Sequence, residues 1–323
     1  MSRSAGCVRR CSTSRSGAAP DDYLARRAAL GPREVARRLL RDTGIVEFFV
    51  DTGYSAETLT SPDELAGFAD ASAREVVRLE SVAEQEITGS AAAEFAATCR
   101  DRLARAATDA VAFKSIAAYR VGLALAPERP AAAEVTAAAG RWAAAIERGA
   151  PRRLADETLT RFLVWTAVDL GLPIQFHTGY GDVDAELTRC DPLLLTPLLR
   201  ATTGLDVPVM LLHTYPFHRH AGYLAQVFDH VFVDVGLAVQ NVGGRGGRVL
   251  AELLELAPFG SVLFSTDGYG IPELFQIAAA WFRRALAEVL DAGIEDGSWS
   301  LGDADRIAGL IGSGNARRAY GRS

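Results

Sequence analysis

The strongest constraint on this 323-residue chain is a repeated beat of short apolar runs, each followed by a longer segment of helical character. The runs begin at Ile45, Glu75, Ala110, Pro173, Val207, Val231 and Ser261. Short runs that stay apolar without alternation suit strands buried on both faces of a parallel sheet. Parallel strands need crossover helices. The sequence supplies them near 82–107, 131–147, 156–169, 192–202, 219–228, 247–256 and 273–290, with a last one over 303–320. Helical text over 21–41 precedes the first run, and Ser61-Pro62-Asp63-Glu64 is a capped helix start.

An open doubly wound sheet and a (β/α)8 barrel both fit this beat. The open sheet usually carries a glycine-rich phosphate turn after its first strand, and no strand end here has one. Gly243-Gly244-Arg245-Gly246-Gly247 comes well after Val235 and lacks the phosphate-loop lysine, so it is expected to be a flexible loop. In a barrel, reactive residues sit at the carboxyl ends of several strands. These runs finish in Asp51, Lys114-Ser115, His177, His213, Asp234 and Asp267. That pattern decides for a TIM-type barrel, with residues 21–323 as one domain.

With 49% hydrophobic and 23% charged residues and a net charge of -6, the chain suits a soluble globular protein. No apolar run approaches the roughly 18 residues of a spanning helix. No basic stripe recommends nucleic acid as a partner. Of the 34 basic residues, all but Lys114 are arginine, so one amine stands out among groups that do not deprotonate. Residues 1–20 are Arg/Ser-rich and are expected to be a disordered or spurious leader. Cys7, Cys11, Cys99 and Cys190 make no disulfide framework, and a reducing cytoplasm is the default.

Two histidines closing separate strands, with Asp267 and Lys114, converge on one rim if the barrel holds. Singly, each histidine is more often a hydrogen-bonded core residue. Together, imidazole and carboxylate around an open position suit catalytic Zn²⁺ or Mn²⁺, with Asp267 accepting a proton from the activated water. Arg120 is balanced between a substrate-carboxylate clamp and a rim salt bridge. Tyr180 and Asp182 follow His177 in a loop on the active face, and His218 is expected to face the pocket. Arg78 and Glu80 share a strand face by alternation, which favours an internal ion pair. Trp142, Trp165 and Trp281 are expected to pack helices on the barrel, and Asn315 to begin a capped terminal helix.

The segments "AVAFKSIAAYRVGL", "LPIQFHTGYGDVD", "LLHTYPFHRHAGYLAQVF", "HVFVDVGLAV", "LELAPFGSVLFSTDGYGIPEL" and "GNARRAYG" resemble the amidohydrolase-related family. The closest likeness is to the branch sometimes fused to a glutamine-synthetase-like domain. The resemblance covers about residues 20 to 321 and implies a metal-dependent TIM barrel that hydrolyses C–N and ester bonds of small molecules. By position it implies His177 and His213 as the histidines of strands five and six, and Asp267 as the strand-eight ligand and proton acceptor. Lys114 falls where some members carry a carboxylated, metal-bridging lysine. The family's opening His-x-His strand has no counterpart here. An incomplete barrel of seven strands is therefore expected, gapped between the runs at Ser261 and Ile45, through a misassigned start or genuine loss. Poor metal binding follows. Decarboxylase, isomerase and catalytically impaired readings stay open beside the hydrolase, as does assembly into a homo-oligomer.

Overall fold

A computed structural model describes residues 19–54, 60–89 and 91–321; the leader cysteines Cys7 and Cys11 lie outside them. Two helices, α1 (Pro20–Leu30) and α2 (Pro32–Asp42), precede β1 (Glu47–Asp51), α3 (Pro62–Ala69) and β2 (Ser72–Arg78). Next come α4 (Leu79–Glu86), α5 (Phe95–Ala106), β3 (Ala112–Ser115), α6 (Ala132–Glu147), α7 (Glu157–Asp169) and β4 (Ile174–His177). The chain continues through α8 (Thr196–Thr202), β5 (Val209–Leu212), α9 (His218–Val227) and β6 (Val231–Val233). It closes with α10 (Gly236–Val242), α11 (Gly246–Leu253), α12 (Pro272–Glu295), α13 (Leu301–Gly309) and α14 (Asn315–Ala319).

The six strands pair in parallel in chain order, β1-β2-β3-β4-β5-β6. This curled arrangement is a TIM-type barrel left incomplete, with one strand fewer than the seven expected. The run at Ser261 adds a single parallel bridge, Val262 to Val233, with Leu263 donating its N–H to the Val233 carbonyl. The turn at Phe259–Ser261 keeps this segment out of register until Val262. Among the described residues, no strand joins it to β1.

Helices cover the outer face. Their core includes Trp142, Trp165 and the free thiol of Cys99, with Trp281 packed at its margin. The expected helix over 82–107 is two helices, broken by a turn that contains Gly89. The glycine run is not a flexible loop. It ends α10 and starts α11, and a Cβ at Gly247 would meet Glu288 Oε2 of α12 at 2.5 Å, so this glycine allows α11 to pack closely on α12. Helix α12 lies against α2, where Gln276 bonds Asp42, and its first turn reaches α1, where Glu273 accepts from Tyr23 Oη at 2.7 Å and Arg27 Nε at 2.5 Å. Asn315 does not cap its helix: its Nδ2 donates to the carbonyls of Phe259 and Val262, both at 2.7 Å. That ties α14 under the sheet. No helix among the described residues is long and apolar enough to cross a membrane.

Candidate active site

The two-residue period of a strand decides which side chains meet on the concave face. Val76, Ala112, Met210, Leu212 and Phe232 pack there with Leu263, Ala319 and Tyr320. Gln175 joins them by donating to Tyr320 Oη at 2.8 Å. Two residues onward from Val76, Ala112, Gln175 and Phe232 stand Arg78, Lys114, His177 and Asp234. The apolar plug thus carries a polar layer at the carboxyl ends of the strands. A cavity of about 1790 Å³ opens over it, lined among others by Asp51, Arg78, Lys114, His177, His213, Asp234 and Asp267.

His177 and His213 are 5% and 3% exposed, with ring centroids 4.8 Å apart. Burial holds both imidazoles well below their usual titration range. The charge of Lys114 adds to it in both, and His213 adds to it at His177. Both rings are therefore neutral at pH 7 and keep one nitrogen lone pair. His177 Nε2 and His213 Nδ1 are buried without a hydrogen-bond partner. His213 Nε2 lies 3.7 Å from Asp267 Oδ1, on a side chain 35% exposed at the mouth. Tyr119 packs its ring 4.4 Å from that of His177. Sequence reasoning passed over Tyr119, whose signal was its place five residues after Lys114.

Three residues here have left-handed backbone, His213 at φ 73, Thr214 at φ 53 and Asp267 at φ 47. Non-glycine residues rarely hold such angles unless their surroundings impose them. Asp234, 1% exposed, imposes them at His213. Its Oδ1 accepts from His213 N and Gly236 N, each at 2.9 Å, and Thr214 Oγ1 donates to its carbonyl at 2.8 Å. Burial pushes the Asp234 carboxyl up to about 6 against those backbone bonds, and Oδ2 is unpartnered.

On the opposite wall, Asp51 accepts from Arg78 Nη2 at 2.6 Å and pairs with Lys114 Nζ at 3.4 Å. Burial raises the Asp51 carboxyl, but Lys114 and Arg78 outweigh it and hold it below its usual range. The expected Arg78–Glu80 pair does not form. The strand ends at Arg78 and α4 begins at Leu79, so alternation stops there. Glu80 turns inward, fully buried, to accept from Ser115 Oγ and Ile116 N at 2.7 and 3.1 Å. Burial raises its carboxyl, which favours the neutral acid.

Arg120 also lines the cavity. Its side chain is 9% exposed, Nη2 is 3.1 Å from Glu84 Oε1, and Nε and Nη1 are buried without partners. Tyr180 lines the cavity too; its hydroxyl donates to the Leu237 carbonyl at 3.0 Å and accepts from Asn241 Nδ2 at 2.6 Å. His218 departs from expectation. Because α9 starts at this residue, its ring turns to α11, with Nε2 2.8 Å from Glu252 and one face on Tyr215, outside the cavity lining.

A divalent cation finds suitable donors in kind: two neutral imidazoles, one with an orphaned buried Nε2, and a carboxylate at the mouth. They form part of a coordination shell, not a whole one. Among the described residues, no three His, Cys, Asp or Glu groups stand close enough to hold a metal ion.

Residues 58–322 match the family model for amidohydrolases. This chain belongs to the amidohydrolase family. Over 238 residues, 70% of its length, it is 33% identical to protein fluG of Emericella nidulans, of which it spans 27%. A crystal structure from Lactobacillus casei, described as a metal-dependent hydrolase, matches with a TM-score of 0.82 and 30% identity over 90% of this chain and 77% of that one. The uronate isomerase of Thermotoga maritima shares the fold at a TM-score of 0.60 and 13% identity, over 88% and 69% of the two chains.

Proposed function

We propose that this amidohydrolase-family chain hydrolyses an amide or ester carbonyl of a small molecule held in the cavity over the strand ends. The observation that carries the reading is the meeting of two buried, neutral imidazoles with free lone pairs and a carboxylate 3.7 Å from one of them. Asp267, open to solvent at the mouth, is placed to take a proton from water as its oxygen adds to the carbonyl carbon. The same proton then passes to the departing amine or alcohol as the C–N or C–O bond breaks, which regenerates the carboxylate. His177, His213 and Asp267 are the residues that would hold Zn²⁺ or Mn²⁺, and such an ion when bound acidifies water and polarises the carbonyl. Lys114 stands in this wall as a cation paired with Asp51, and Arg120 and Tyr180 present polar groups to the substrate.

The test is a panel of small N-acyl and ester compounds with the full chain in Zn²⁺ or Mn²⁺ buffer, run in ¹⁸O-water. Hydrolysis places ¹⁸O in the released acid, and Asp267→Asn lowers the rate at least about a hundredfold. Release of CO₂, or rearrangement without ¹⁸O incorporation, would assign the cavity to a lyase or an isomerase instead. Absence of turnover with either metal would point to a binding module, the reading that the partial ligand set favours.

A further inference from the structure

Arg120 carries more positive hydrogen-bonding capacity than its neighbours use. A guanidinium has five N–H donors and no acceptor. Here one ion pair, to Glu84, is matched by two nitrogens, Nε and Nη1, that are buried and unpartnered in a side chain only 9% exposed. Leaving such donors unmet in a buried place costs free energy, and native structures rarely tolerate it without a ligand or water to meet them. Among the described residues, its neighbours in the cavity wall leave it no second acceptor. Arg78 and Lys114 share the single carboxylate of Asp51, and Glu84 answers Arg120.

We propose that Arg120, in the wall of the cavity, is the receptor for a free carboxylate on the substrate. The class taken by this site is then small amides or esters that also bear a carboxylate. A carboxylate is the matching shape, because its two oxygens accept parallel bonds from a planar guanidinium. The proposal deepens the hydrolase reading by naming its substrate class, yet it concerns binding and is tested without turnover.

The experiment titrates the full chain, in chelator and at low ionic strength, with glutarate and with the isosteric neutral glutaramide. Calorimetry and ligand-observed NMR read the binding. Glutarate is expected to bind at least about tenfold more tightly than glutaramide, and Arg120→Lys to weaken glutarate at least about tenfold by keeping the charge but losing the fork. Arg120→Gln should lose the preference for the anion altogether. Equal binding of the two compounds, or binding of neither, overturns the proposal. So does a folded variant that binds glutarate as the wild type does. Should Arg120→Gln fail to fold, the wild-type comparison and Arg120→Lys decide alone. A chain that prefers glutarate through Arg120 but hydrolyses nothing would keep this inference and sink the hydrolase reading.

Discussion

Asp234 is the side chain whose removal should be felt most sharply, because one oxygen serves two buried amides. Its Oδ1 accepts from His213 N and Gly236 N at 2.9 Å each, inside a residue 1% exposed. In Asp234→Ala both donors lose their acceptor, and each unmet buried N–H costs about 1 to 3 kcal/mol. The loss is therefore about 2 to 6 kcal/mol in total. His213, at φ 73, would relax toward an ordinary backbone conformation and carry its imidazole away from Asp267. Asp234→Asn keeps an acceptor at Oδ1, and its new amide can donate to the neighbouring Ser265 hydroxyl, itself buried without a partner. Its cost should stay under about 1 kcal/mol. Urea unfolding followed by circular dichroism, at unchanged slope, measures both. An alanine variant within about 0.5 kcal/mol of wild type would refute the clamp. An asparagine variant as weak as the alanine would show that charge matters rather than the acceptor.

The buried histidines make an acid-lability prediction. Their folded pKa values are depressed, so below about pH 6.5 the unfolded chain binds protons that the native chain does not. Stability should fall as pH drops below that point, by up to about 2.7 kcal/mol per unit for the two together. His177→Gln should halve the slope in chelator-treated protein, and an unchanged slope would count against neutral imidazoles. Gly181→Ala places a methyl 2.9 Å from His177 Nε2 and closer still to the Tyr119 hydroxyl. It should cut activity at least about tenfold with little change in melting temperature, and unimpaired turnover would contradict that crowding. Elemental analysis after dialysis against Zn²⁺ or Mn²⁺ should find less than one ion per chain, and a tight stoichiometric ion would show that the partial ligand set suffices.

The sequence made the strand ends legible because apolar runs stop where a side chain must leave the core. Asp51, Lys114, His177, His213 and Asp267 all line the cavity that those runs predicted. What misled was chain direction just after a strand. Glu80 and His218 sit where a helix begins, and the first turn of a helix rotates a side chain by an amount that two-residue alternation does not foresee. The run at Ser261 is as apolar as its neighbours, yet it forms one bridge. A strand is made by its partners, which composition does not specify. A strand-end aspartate such as Asp234 is readable as a hydrogen-bonding residue, and it is one. The orphaned donors of Arg120 and the particular amides that Asp234 holds were not legible. They depend on Glu84, and on a backbone turned left-handed at His213.

The seam between α2 and α12 joins residues that lie far apart along the chain, Asp42 and Gln276 being 234 positions apart, whereas every strand pairs with its neighbour in order. Each strand can therefore dock as soon as it leaves the ribosome, on one already in place. The seam must wait for most of the chain, and its loop-closure entropy is far larger than that of any neighbouring strand pair. A contact made so late, between helices at the edge of the sheet, is also one that can open by itself. Amides along α2 should exchange with solvent by a local opening that leaves the sheet intact.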